Sequence, residues 1–245
     1  TALDSCLPKI EAALRQKGLT ENTIVVLTSD HGDSVFSHTD AKHPNINKQR
    51  PYDDSVHVPF LLKYPAVTGD RQRGITTPLC TPDILPTLLE LAGIDIPHSV
   101  EGVSLACEIR GDGQVDRSGV LIASYMPFAD FSAALAAESY EYRGIRTETY
   151  TYVRDINRPR LLFDNRRDPY QMTNLIDDPA YADIRQYLDG ELSALLQRQN
   201  DRFLPAKRLA AQYGYHSLDE HDNTLWEKGE EWYTEQRRLM SEQKE

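Results

Sequence analysis

The run Ile24-Val25-Val26-Leu27 restricts the fold more than any other stretch of this sequence. Four consecutive apolar residues without polar alternation fit a strand covered on both faces, because successive side chains point to opposite faces of a sheet. The segment before it reads as a helix. Leu3, Leu7, Ile10 and Leu14 recur at helical spacing, with Glu11, Arg15 and Lys17 on other faces. Asp4 or Ser5 can cap its start, Pro8 then falls in the first turn, and Gly18 stands where the helix would stop. Helix, short turn, buried strand and polar loop make an α/β unit, with helices on both faces of a parallel sheet.

Val58–Tyr64 reads as a second buried strand and Gly119–Tyr125 as a third. TPDILPTLLELAG predicts a helix capped by Thr81, with Pro82 at its first position, Pro86 as a potential bend and Gly93 past its end. The pattern changes after about residue 140. Tyr142–Asp155 alternates and is rich in Thr and Tyr, and Arg160–Asp164 follows a short polar turn, which predicts a small antiparallel sheet. A helix over about 180–199 should pack Ile184, Leu188, Leu192 and Leu195 on one stripe. The expected domains are therefore 1–140, 141–200 and a charged extension over 201–245, with Trp226, Trp232 and Tyr233 as docking points in its tail.

Composition excludes some functions. The chain has 245 residues, 40% of them hydrophobic, enough to bury a core. Its 38 Asp and Glu outnumber 27 Lys and Arg, a balance that repels phosphate backbones and argues against nucleic-acid binding. No apolar run approaches the roughly 20 residues of a membrane helix. Cys6, Cys80 and Cys107 lack the short spacing of a zinc knuckle. One disulfide or three free thiols are equally compatible with them. No signal peptide is visible at the N-terminus.

Chemistry concentrates in Ser29-Asp30-His31-Gly32-Asp33, directly after the first strand. Ligand sites in open α/β sheets lie beyond the carboxyl ends of strands. There Asp30 can offer a carboxylate oxygen and His31 an imidazole nitrogen to a metal, or Asp30 can cap a turn while His31 bonds a backbone carbonyl. His38, His43 and Lys48 follow in the same polar loop. A lysine near such a site can neutralise an anionic substrate, and a histidine can act as acid or base.

The longer pattern NTIVVLTSDHGDSVFSHTDAKHPNINKQRPYDDSVHVPFLLKYP resembles the sulfatase family of the alkaline-phosphatase superfamily. The likeness continues through TPDILPTLLELAGIDIP, EGVSL, YRGIRTETYTYV and LFDNRRDPYQMTNLIDDPAY, in the family's order, over roughly residues 1–200. It implies part of an alkaline-phosphatase-like sheet with helices on both faces, plus a smaller C-terminal antiparallel sheet with a packed helix.

By this resemblance Asp30 and His31 match a pair of metal ligands, for calcium in most sulfatases and for manganese or another divalent ion in phosphonate-ester relatives. Lys48, four residues before Tyr52, matches the lysine that contacts the sulfate and the leaving-group oxygen. His38 matches the histidine of a Gly-Glu-His element, although Phe36 and Ser37 replace its first two residues. His43 has no motif support, and Asp33 fits the pattern without being a ligand. The family's formylglycine nucleophile arises in a Cys/Ser-x-Pro-x-Arg element that neither Cys6-Leu7-Pro8-Lys9 nor the surroundings of Cys80 and Cys107 reproduce. It is expected in an N-terminal half, which makes this chain the C-terminal half of a sulfatase and inactive alone. The implied substrate is a sulfated small molecule or glycan, and the implied location periplasmic or secreted, with cytoplasmic choline sulfatases as the exception. The alternatives are a phosphonate monoester or phosphodiester hydrolase of the same superfamily, and a non-catalytic binding module.

Overall fold

The computed structural model describes residues 4–35, 37, 38, 48, 50–69, 72–125, 141–205, 208, 209 and 212. His43, Leu3 and the tail aromatics lie outside them. The chain divides into two compact units, the first formed by 1–32, 57–120 and 146–149, the second by 33–56, 121–145 and 150–245.

In the first unit, helix α1 (Leu7–Gln16) carries Pro8 in its first turn and none of its residues is buried. Gly18 follows at φ +66°, a conformation that glycine adopts without a steric cost. Strand β1 (Val25–Thr28) leads to the Asp30 loop. In the second unit, α2 (Asp53–Val56) is a single turn. In the first unit again, β2 (Phe60–Lys63) pairs with β1 antiparallel, Val26 opposite Leu62 and Thr28 opposite Phe60. Two expectations are corrected here. The pairing is antiparallel, and both strands are half-open: β1 has no fully buried residue, and β2 alternates so that Leu61 is 60% exposed. The apolar run Ile24–Leu27 reported a preference for covered faces, not the direction of its partner.

Short helix α3 (Pro65–Thr68) follows, then α4 (Thr81–Leu91) and α5 (Ala106–Arg110). Leu91, Ala106 and Ile109 form the buried core, with Ile24, Leu62, Tyr64 and Val67 packed against it. The cap of α4 is Cys80, not Thr81. Asp83, three positions on, accepts the Cys80 N–H at 2.9 Å and so satisfies a donor that the helix leaves open. The other Asp83 oxygen accepts the Val103 N–H at 2.8 Å, and a Cβ at Gly102 would fall 1.9 Å from the Pro82 carbonyl oxygen. The Glu101–Leu105 motif is thus a backbone docked on a helix start, where no side chain fits.

The strand at Gly119–Ser124, expected as a third buried strand of the first sheet, stands instead beside Tyr142–Thr147 in a four-stranded sheet. Strands β3 (Gly119–Ser124), β4 (Tyr142–Thr147), β5 (Tyr150–Arg154) and β6 (Pro159–Asp164) form one sheet in that order. β5 and β6 run antiparallel, Tyr152 opposite Leu162, with an irregularity after Val153. Helix α6 (Ala182–Arg198) lays Leu188 and Leu192 onto Ile145, Tyr152, Leu162 and Ile176, flanked by Ile184 and Leu195. Each such fully buried side chain contributes about 1.5–3 kcal/mol of transfer free energy.

Candidate functional site

Asp30 and His31 leave the carboxyl end of β1, where the chain turns out of the sheet. Their side chains converge: His31 Nε2 lies 3.4 Å from Asp30 Oδ2. The backbone N–H of His31 donates to Asp30 Oδ1 at 2.9 Å, and Ser29 Oγ donates to the His31 carbonyl at 2.8 Å. These bonds fix the direction of both groups. His31 Nδ1 lies 2.7 Å from the Gly32 carbonyl oxygen, which can only accept, so Nδ1 is the donor of that bond and Nε2 is the ring nitrogen turned toward Asp30.

The Asp30 carboxyl is held below its ordinary value, first by the His31 N–H and then by the neighbouring imidazole. An ionised carboxylate oxygen and an imidazole nitrogen at this separation suit adjacent positions around one cation. Both side chains are accessible, Asp30 at 82% and His31 at 40% exposure. Among the described residues no group of three or more His, Cys, Asp or Glu side chains is arranged to hold a metal.

The second unit organises His38. Its imidazole stacks on Tyr52, ring centroids 4.0 Å apart and planes 3° from parallel. Asp54 Oδ2 lies 3.7 Å from Nε2 and accepts the Ser37 hydroxyl at 2.6 Å. The His38 carbonyl accepts the Arg50 guanidinium. Tyr52 leans in turn on Phe163 of β6, and burial pushes its phenol above the ordinary tyrosine value. Lys48 is exposed and belongs to this same unit. Asp33 accepts the Val35 N–H at 2.8 Å, a turn-stabilising bond.

Sequence reasoning missed three residues. Asp54 faces the imidazole, Tyr52 supports it, and Gln171 receives the Asp53 N–H at 2.7 Å across 118 positions. The first two stand in the 22–65 pattern, where Tyr52 served only as a spacing mark for Lys48, and nothing local announced the third. The three cysteines are free thiols. Burial first, then the Asp83 carboxylate, pushes Cys80 up to about 12.

The family described as N-sulphoglucosamine sulphohydrolase, C-terminal, matches residues 41–198. The chain belongs to this family of sulfatases. It is 38% identical over 218 residues to an ulvan-active sulfatase of Formosa agariphila, covering 88% of this chain and 40% of that protein. Among solved structures it resembles a protein in complex with its substrate D-glucosamine-2-N,6-O-disulfate, with TM-score 0.67 at 23% identity over 84% of this chain and 40% of the other, a likeness of fold alone. It also resembles a phosphonate monoester hydrolase of Agrobacterium radiobacter, with TM-score 0.62 at 26% identity over 89% of this chain and 42% of the other. The chain thus spans well under half the length of these relatives, and its fold is that of the alkaline-phosphatase superfamily. Among the described residues no helix is long and apolar enough to cross a membrane.

Proposed function

We propose that this chain contributes a cation-holding pair and two substrate-handling side chains to the active site of a sulfuric-ester hydrolase. The observation that carries the proposal is the convergence of Asp30 Oδ2 and His31 Nε2 to 3.4 Å, with His31 Nδ1 donating to the Gly32 carbonyl. Asp30 and His31 would hold calcium, or manganese or another divalent ion in its place. Once bound, such an ion withdraws negative charge from the sulfate oxygens and from the nucleophile.

The chain's own residues do the rest of the work assigned here. Lys48 sets an ammonium against the sulfate and the departing oxygen, where charge grows as the S–O bond breaks. His38 gives a proton to the leaving alcohol, its ring oriented by the stack on Tyr52 and by Asp54 Oδ2 at 3.7 Å from Nε2. Formylglycine does not fit the cysteines present: none lies in a Cys-x-Pro-x-Arg element, and Cys80 stays a protonated thiol at neutral pH. No step is assigned to them.

A sulfated small molecule or glycan is the substrate class, in keeping with a 38% identical relative named for its action on ulvan. A periplasmic or secreted location suits such a substrate. The second reading, a phosphonate monoester or phosphodiester hydrolase, draws on the Agrobacterium likeness. Turnover of 4-nitrophenyl sulfate and of 4-nitrophenyl phenylphosphonate by the enzyme as its gene encodes it separates the two. The sulfate ester should be the faster substrate, and Lys48→Ala should slow it by about 10²-fold or more. A faster phosphonate ester selects the second reading. Turnover unchanged in Lys48→Ala removes that residue from the mechanism.

A further inference from the structure

We infer that Tyr52 and Gln171 are positioning residues for His38, which is held in place from the β5–β6 hairpin; the inference rests on the sulfatase reading above. The loop that carries His38 puts it at φ +54°, the left-handed region that a side chain with a Cβ enters only at a cost. Something outside its own backbone must hold it there.

Two anchors do so. The first is a stack of rings. His38 lies flat on Tyr52 at 4.0 Å, and Tyr52 rests against Phe163 with centroids 5.8 Å apart at 48°. Phe163 is 2% exposed and sits opposite Thr151 in the sheet. The second anchor is an amide. Gln171, also 2% exposed, accepts the Asp53 N–H at Oε1. Its Nε2 donates to Thr151 Oγ1 at 3.0 Å and to Asn165 Oδ1 at 2.8 Å. Asn165 Nδ2 donates to the same Thr151 hydroxyl oxygen at 2.9 Å, which closes the network.

Residues 50–54 therefore meet His38 on one side and the buried hairpin on the other. Arg50 holds its carbonyl, Tyr52 its ring face and Asp54 its Nε2 edge. The alignment of neighbouring residues 52 and 53 is set by Phe163 and Gln171. A shift of about 1 Å at the hairpin moves the proton donor by a similar amount, enough to cost about 10²-fold in a step that needs it.

Proton donation matters most when the leaving alcohol is poor, and that gives a readout that general loss of stability would not move. The experiment measures kcat/KM for 4-nitrophenyl sulfate and phenyl sulfate with the enzyme as its gene encodes it. His38→Ala is the reference and should slow phenyl sulfate by about 10² while slowing 4-nitrophenyl sulfate less than about 10-fold. Tyr52→Leu and Gln171→Met should show the same selective loss. Tyr52→Phe keeps the ring stack and should retain the wild-type ratio. Gln171→Glu keeps the acceptor for Asp53 and loses both donors, so it should fall between wild type and Gln171→Met, and it serves if Gln171→Met does not fold. If His38→Ala is selective but Tyr52→Leu and Gln171→Glu slow both substrates equally or not at all, the positioning role is wrong while that of His38 stands. If His38→Ala itself is not selective, the assignment of His38 above fails, and the positioning inference fails with it.

Discussion

Each compact unit carries a buried arginine–aspartate pair, and the two are built in opposite senses. In the first unit the acid is the buried partner: Asp83 is 1% exposed, Arg117 16%, and they meet at 2.5 Å. In the second the base is buried: Arg143 is 1% exposed, Asp201 10%, and they also meet at 2.5 Å. Asp83 has two backbone donors besides Arg117 and could take up a proton if stranded. Arg143 is held by the Ser124 and Tyr142 carbonyls and lies against the Tyr125 and Phe203 rings. Its guanidinium has no neutral form within reach. Ion pairs of similar length thus differ in what their loss leaves behind.

The largest predicted effect follows from that asymmetry. Asp201→Ala strands a buried guanidinium and should cost about 3–5 kcal/mol. Arg117→Ala strands a carboxylate that keeps two N–H donors and should cost about 1–3 kcal/mol. Denaturant titrations followed by hydrogen exchange in each unit would rank them, and equal costs would erase the distinction.

The next comparison sets the closed core against the open one. Leu192 is fully buried beneath the sheet, whereas Ile10 on α1 is 49% exposed. Leu192→Ala should cost about 2–5 kcal/mol and Ile10→Ala about 0.5 or less. A large cost at Ile10 would mean that α1 is covered by a partner.

The smallest effect concerns pH. Burial pushes Asp83 up, but hydrogen bonds from Arg117, Cys80 and Val103 outweigh it and leave the carboxyl below its ordinary value. Asp201 is likewise lowered on balance, with burial opposed by Arg143 and the Phe203 N–H. A carboxyl depressed in the folded state contributes stability that is present above its unfolded value of about 3.9 and is lost as pH falls through the folded value. Asp83→Asn should therefore flatten the acid-induced loss of protection in the first unit as pH falls below the unfolded value of about 3.9, while the second unit keeps its own.

Legibility in the sequence divides along similar lines. Tyr142–Asp164 alternates, and the helix after it carries a leucine stripe, so sheet and helix could both be read from local period. The first unit was less readable because an unalternating run such as Ile24–Leu27 does not say whether its neighbour is parallel. The α4 cap went to Cys80 because the Asp83 carboxylate three residues on decided it, a tertiary outcome shared with Val103. At the candidate site, adjacency made Asp30 and His31 visible. The Gln171 anchor was not, since it reaches the segment beneath His38 from 118 residues away. Long-range hydrogen bonds leave no period in a sequence.

The central claim is that Asp30 and His31 hold a divalent cation in a sulfatase site. Calorimetric titration of calcium into the chelator-stripped enzyme, wild type beside Asp30→Ala and His31→Ala, tests it most directly. The account predicts one calcium site per chain in the wild type, weakened by about 10²-fold or more in each variant. Wild-type calcium affinity in both variants would contradict it.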